Sequence, residues 1–152
     1  MEQAHRKYGI SRYFKKLLIS LANTHLLSAT YRAKLLKFAG VRVGNRVRIG
    51  GGITVDTMYP ELLRISDDVT ISTNVTIITH FMNPVGKFQR SYVKGPVEIG
   101  QQVFIGAGVI ICKSVTIGEG AIIGAGSIVT KDIPAGEIWA GNPARFIKKR
   151  IS

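Results

Sequence analysis

From Val97 onward an aliphatic or small residue returns at every sixth position, and that period leaves very few folds open to the chain. Written in sixes, the stretch reads VEIGQQ, VFIGAG, VIICKS, VTIGEG, AIIGAG, SIVTKD. Val97, Val103, Val109, Val115, Ala121 and Ser127 open the units. Ile99, Ile105, Ile111, Ile117, Ile123 and Val129 stand third in them. An amphipathic helix needs a period near 3.6 and a half-buried strand a period of two, so neither fits. A short strand followed by a turn, repeated, does. Three such sides close a triangular coil of about 18 residues, and successive coils stack at the ~4.8 Å strand spacing. The expected architecture is a parallel β-helix, one of the repeat folds marked by self-similarity at a fixed period.

The same phase runs earlier in the chain. VRVGNR, VRIGGG and ITVDTM begin at Val41, Val47 and Ile53, and LRISDD, VTISTN and VTIITH begin at Leu63, Val69 and Val75. Between the two sets the phase slips by the four residues Tyr59-Pro60-Glu61-Leu62. After His80 the period stops. Residues 81–96 carry Gly, two Pro and three cations, so they read as an excursion from the coil. At Val97 the repeat resumes without drift. A length of 152 residues suits one domain. Most of the 17 glycines fall one or three places after the inner Ile, where a corner is expected to need positive φ. The expected organisation is a helical cap over 1–40, the β-helix over 41–145 with its loop 81–96, and a basic tail over 146–152.

Residues 1–40 follow another rule. From Ser11, Phe14, Leu17, Leu18 and Leu21, then Leu26, Leu27, Leu35, Leu36 and Phe38, recur at helical spacing, with Gly40 as a stop. Two short helices broken near Asn23-Thr24 are expected. Their first task is to cover the strand edge that the first coil would otherwise expose. The segment holds eight of the 21 Lys and Arg and a single acid, Glu2, which also makes it a candidate for contact with anionic membranes.

Composition excludes several classes. No apolar run approaches the ~20 residues of a membrane span and no signal-peptide pattern is visible, so a cytoplasmic protein is expected, at most peripheral at the inner face of the membrane. Cys112 is the only cysteine and forms no internal disulfide, which fits a reducing compartment. The net charge of +12 invites comparison with nucleic-acid binders, but aromatics are sparse and no binding motif accompanies the charge, so no nucleic-acid partner is expected. A zinc enzyme on this scaffold would need three histidines on adjacent coils. His80 is the only histidine within the repeat, and no metal is expected.

The repeats, the histidine that ends a coil before a loop, and the segment IGAGSIVTKDIPAGEIWAGNPAR (Ile123 to Arg145) resemble the hexapeptide-repeat acyltransferases. Within them the likeness is to the sugar O-acetyltransferases typified by galactoside and maltose acetyltransferases and by capsule and O-antigen acetyltransferases. It covers Val41 to Arg145. The resemblance implies a left-handed parallel β-helix, an exception to the right-handed crossover rule. It also implies a homotrimer with active sites between subunits, acetyl-coenzyme A as co-substrate, and transfer to a hydroxyl of a sugar or glycan. Residues 1–40 do not match the acceptor-binding helical segment of the galactoside and maltose enzymes.

Such a transfer needs a base, because a neutral hydroxyl attacks a thioester poorly, and histidine suits the task near neutral pH. His5 and His25 lie in the helical segment, where surface or capping roles are expected, whereas His80 stands where the family carries its base. For the group that orients its ring, a backbone carbonyl and a carboxylate are equal options, with Asp56 and Glu61 as the carboxylate candidates. Phe104-Ile105-Gly106-Ala107-Gly108 resembles the family's segment that supplies an oxyanion donor, here the Ala107 N–H. The donor's phosphates are expected at Lys131, Arg145 and Lys148, with Lys149 and Arg150 beside them. Its pantetheine arm is expected along Phe104, Gly106, Gly124, Ala125 and Thr130. Trp139 either covers the adenine or closes the last coil. Asn83, Lys87, Arg90 and Tyr92 are expected to shape the acceptor pocket. Cys112 has no base beside it in sequence and is expected to take no part. The rival reading is an inactive scaffold or binding protein of the same fold.

Overall fold

The computed structural model describes residues 2–83 and 91–151, without the side chains of residues 2–11, 83, 91 and 92. Its three faces are each a ladder of short parallel strands. Face one stacks Arg42–Val43, Leu63–Ile65, Val97–Ile99 and Val115–Ile117. Face two stacks Arg48–Ile49, Thr70–Ile71, Phe104–Ile105, Ile122–Ile123 and Glu137–Ala140. Face three stacks Thr54–Val55, Thr76–Ile77, Ile110–Ile111 and Ile128–Val129. Register follows the hexads. Phe104 pairs with Thr70 on one side and Ile122 on the other, and Ile110 pairs with Thr76 and Ile128. An uninterrupted coil therefore takes about 18 residues, and the two earlier ones are longer by the segments at 59–62 and 81–96.

The first and third residues of each hexad point inward and are buried, from Val41 and Val43 to Ser127 and Val129. Each large aliphatic side chain stabilises by about 1.5–3 kcal/mol when fully buried, so a dozen such isoleucines and leucines hold the prism together. Ser127 is the polar member of this column. Its hydroxyl donates to Gly124 O at 2.6 Å and accepts from Gly141 N at 3.1 Å, which satisfies both its capacities inside the core.

The corner glycines divide into two kinds, and only one follows the expected reason. Gly126, three places after Ile123, has φ +70 and open space where a Cβ would stand, so backbone conformation selects it. Gly106, one place after Ile105, lies outside the positive-φ set; a Cβ there would come within 2.6 Å of Ala125 N in the next coil. Close stacking of corners, rather than turning, requires glycine at that position.

Helix α1 (Glu2–Ala22) and helix α2 (Ala29–Phe38) are separated by a break at 23–28. The first begins well before Ser11, the start expected from the apolar period, which the residues ahead of Ser11 do not carry. Gly40, φ +105, ends the helical segment. Leu18, Ile19, Ala22 and Leu36 are buried, and buried Arg32 donates to Ile49 O at 3.1 Å and Thr24 O at 3.0 Å. Gly52 N donates to Asn23 O, so two backbone groups on the edge of the first coil are paired by the helical segment. On the other side of α1, Tyr13, Phe14, Leu17 and Leu21 remain exposed.

At the far end the expected basic tail is a strand. Arg145–Lys149 pairs antiparallel with Glu137–Ala140, and Arg150 donates its main-chain N–H to Gly136 O and its guanidinium to Gly120 O. The hexad period ends at Val129, so nothing in it announces an antiparallel return. The unpaired edge of the last coil supplies the reason for one.

Candidate functional site

The three corners stack into three edges along the prism. Edge one joins faces one and two, edge two joins faces two and three, and edge three returns from face three to face one. On edge three the coil closes directly at Cys112–Ser114, but both earlier passages are enlarged. The first holds a 3₁₀ turn, Pro60–Leu62, in which Pro60 takes an early position that needs no N–H donor. The second opens into an antiparallel hairpin, His80–Asn83 with Ser91–Lys94, in which His80 pairs Lys94.

Asp56 and His80 meet between these two enlargements. Thr54–Val55 and Thr76–Ile77 are in register, so the residues that follow them leave the prism one above the other. The Asp56 carboxylate is 1% exposed and its Oδ2 lies 2.5 Å from His80 Nδ1. Thr79, fully buried, donates its hydroxyl to the same Oδ2 at 2.6 Å and its main-chain N–H at 3.2 Å. Met58 N donates to Oδ1 at 2.8 Å. Burial pushes the Asp56 carboxyl up, but the hydrogen bonds from Thr79, His80 and Met58 outweigh it and hold the group below the ordinary aspartate value.

The ring itself is partly open, 24% exposed. Tyr59 meets it edge to face, with centroids 5.9 Å apart, and Lys94 Nζ stands 4.9 Å from the Tyr59 ring. An ionised acceptor on Nδ1 selects the tautomer in which Nδ1 carries the proton, leaving the lone pair on Nε2. Of the two carboxylate candidates, Asp56 occupies the place and Glu61 is exposed in the 3₁₀ turn. No local pattern marks Thr79, Tyr59 or Lys94: Thr79 meets Asp56 of the preceding coil, Tyr59 meets the ring from that coil, and Lys94 pairs with His80 across the hairpin.

The remaining expected residues fall on two edges. Ala107, Gly106, Gly124 and Ala125 lie on edge two, with Phe104 on the adjoining strand and 43% exposed. Arg145 lies beside them, opposite Ala140. Thr130 and Lys131 lie on edge three, the edge of His80, two coils further on. Lys131 Nζ stacks 5.1 Å from the Trp139 ring. Lys148 and Lys149 are exposed on the last strand of face two. One chain therefore does not bring His80 and Ala107 together. Trp139 is 7% exposed and pairs in register with Ile123, so it closes the last coil; its Nε1 donates to Glu137 at 2.7 Å. His25 lies against Gly51, whose Cβ position would fall 2.4 Å from the ring. Lys87 and Arg90 lie outside the described residues, as do the side chains of His5, Asn83 and Tyr92. Among the described residues no cluster of His, Cys, Asp and Glu suited to a metal ion occurs.

Comparison with known proteins gives this geometry its context. The family model described as bacterial transferase hexapeptide (six repeats) matches residues 92–131. Protein CapG of Staphylococcus aureus is 41% identical over 142 residues, which are 88% of this chain and 77% of CapG. The structure of a maltose O-acetyltransferase from Clostridium difficile 630 superposes with a TM-score of 0.74 at 32% identity, covering 93% of this chain and 87% of that one. A galactoside acetyltransferase in complex with coenzyme A superposes with a TM-score of 0.70 at 30% identity, covering 93% and 81%. Against another set of Staphylococcus aureus relatives, matched over 79 residues at 33% identity, the chain spans about half of their length (49%). Taken with the three-faced coil, these likenesses show that the chain belongs to the bacterial hexapeptide-repeat transferases and shares their left-handed parallel β-helix.

Proposed function

We propose that the chain is an acetyl-coenzyme A-dependent O-acetyltransferase that passes an acetyl group directly to a hydroxyl of a sugar or glycan, with His80 as general base. The observation that carries this reading is the buried Asp56 carboxylate on Nδ1 of a partly exposed histidine. Asp56 fixes the tautomer and steadies the imidazolium that forms during transfer. The acceptor hydroxyl gives its proton to Nε2 as its oxygen attacks the thioester carbonyl. The tetrahedral intermediate then collapses, the C–S bond breaks, and the imidazolium returns the proton to the departing thiolate. Acetyl ester and free coenzyme A result, with no acyl-enzyme between them.

The coenzyme bound in the galactoside acetyltransferase structure supports the donor, and the name of the maltose enzyme supports a sugar hydroxyl as acceptor. The division of residues over two edges supports a homotrimer with sites between subunits. The Ala107 N–H and the small residues of edge two on one copy would face His80 on edge three of the next. Arg145 then serves the donor's phosphates. A cytoplasmic setting fits this donor. The exposed row Tyr13, Phe14, Leu17 and Leu21 on α1, flanked by Arg12 and Lys16, supports peripheral contact with the inner face of the membrane.

Release of free thiol from acetyl-coenzyme A, measured against a panel of sugars, tests the reading. Acceptor-dependent release is expected, and its absence with every sugar would leave the inactive scaffold as the better account. In the same assay Arg145→Ala is expected to raise the KM for acetyl-coenzyme A about tenfold with little change in kcat. An unchanged KM removes Arg145 from the donor site.

A further inference from the structure

Edge one takes no part in the reading above, yet it carries a cleft of about 640 Å³ between α2 and the first coil. Lys34 and Lys37, three apart on α2, form one wall, and Arg46 and Arg48 of the first coil line the rest. Ala33, Val43 and Val47 also border it but are buried, the two valines pointing into the prism. A single carboxylate lines the cleft, Asp68, and Arg46 grips it with two hydrogen bonds of 2.5 and 2.6 Å. That pair cancels one of the four cations. Among the described residues no ion pair engages Lys34, Lys37 or Arg48. Lys34 Nζ instead stands 5.3 Å from the exposed ring of Tyr31.

A second depression of about 540 Å³ shares Lys37, Val43 and Gly44 with the first and continues onto face one past Arg42 and Arg64. The opposite border of face one is edge three, which carries Asp56 and His80. Arg64 in this second depression is paired with Glu98 at 3.5 Å.

We propose that this cleft binds the diphosphate of a carrier-linked sugar, so that the acceptor is a sugar joined through diphosphate to a nucleoside or a polyprenol. Cations confined to a cleft of one sign concentrate their field on an anion, and both guanidinium and ammonium groups are suited to phosphate oxygens. The volume lies in the range of small-molecule sites. The word acceptor rests on the acetyltransferase reading; binding of the diphosphate does not. Coenzyme A carries the same diphosphate chemistry, so the test must separate the two.

Calorimetric titration of the full chain with uridine diphosphate, a polyprenyl diphosphate in detergent, inorganic pyrophosphate, sulfate and coenzyme A makes that separation. At least one of the two diphosphate esters is expected to bind, with coenzyme A unable to displace it, and the tighter of the two identifies the carrier. The triple substitution Lys34→Ala, Lys37→Ala, Arg48→Ala is expected to weaken that binding about tenfold or more. Lys113→Ala removes an exposed cation elsewhere and is expected to leave it unchanged. Failure of both esters, sulfate binding as tightly as they do, displacement by coenzyme A, or equal loss in the cleft variant and this control each overturns the proposal. If the ester binds but no acetyl transfer is found with any sugar, the activity reading alone has failed. If acetyl transfer occurs but the cleft variant handles every acceptor as the wild type does, the cleft has no part in it.

Discussion

Edge three passes from face three back to face one several times, and its passages differ sharply. At Cys112–Ser114 the chain turns directly into Val115–Ile117, and Ser114 Oγ donates there to Pro96 O. At the two earlier passages the turn is lengthened, and there a buried carboxylate, a buried hydroxyl and a histidine converge. The same strand register produces both outcomes. A short turn lets coils stack and leaves no room for side chains to meet, whereas a lengthened one carries backbone away from the axis and opens a space the prism itself lacks. The candidate base sits where the repeat is interrupted.

The most severe way to break that comparison is to remove the imidazole. His80→Ala is expected to lower kcat by ~10²–10⁴ while leaving the KM for acetyl-coenzyme A nearly unchanged. The matching change on the uninterrupted turn, Cys112→Ser, is expected to leave turnover within about twofold, since direct transfer needs no thiol. Steady-state thiol release with both variants decides the point. Comparable losses would mean that the two turns are not as different in function as in form.

Asp56→Asn comes next. An amide can offer its N–H to Nδ1 and hold the wrong tautomer, a change that cost about 10⁴-fold in a serine protease; a loss of ~10² or more in kcat is expected here. The same substitution also reads out in stability. The folded-state carboxyl lies below its unfolded value, so its contribution is fully present above about pH 4 and is lost as pH falls through the folded value. Denaturant titrations of wild type and Asp56→Asn are therefore expected to differ near neutrality and to converge in acid. A gap that stays constant with pH would mean that the charge of Asp56 is not what stabilises the fold.

The comparison also explains what could be read from the chain. Inner positions such as Ile105 and Ile123 repeat because every coil needs the same side chain toward the axis, so sequence period reports register directly. The slip at 59–62 and the break after His80 were visible as lost phase. Their contents were not. Asp56 was one of two carboxylates left open, because its approach to His80 depends on stacking of separate coils rather than on spacing along the chain. Thr79 adjoins His80, but nothing along the chain tells that its hydroxyl turns inward to Asp56 rather than out to solvent. The expected tail over 146–152 hides most of the strand Arg145–Lys149, because antiparallel pairing across a turn obeys no hexad.

Thr79 gives the gentlest test and the one that best separates scaffold from site. Its hydroxyl is buried and reaches the same carboxylate oxygen as the histidine, so a positioning role would act through Asp56. Thr79→Val keeps the buried shape but deletes a hydrogen bond to a charged group, worth about 1.5–3 kcal/mol. Part of that loss falls on the fold and part on the ring's orientation, so a fall of about tenfold in kcat is expected with KM little changed. Thr79→Ser restores the donor without the methyl group and is expected to recover most of the rate even where stability remains lower. Recovery of rate without recovery of stability would tie Thr79 to the imidazole; a rate that merely follows stability across the two variants would confine it to packing.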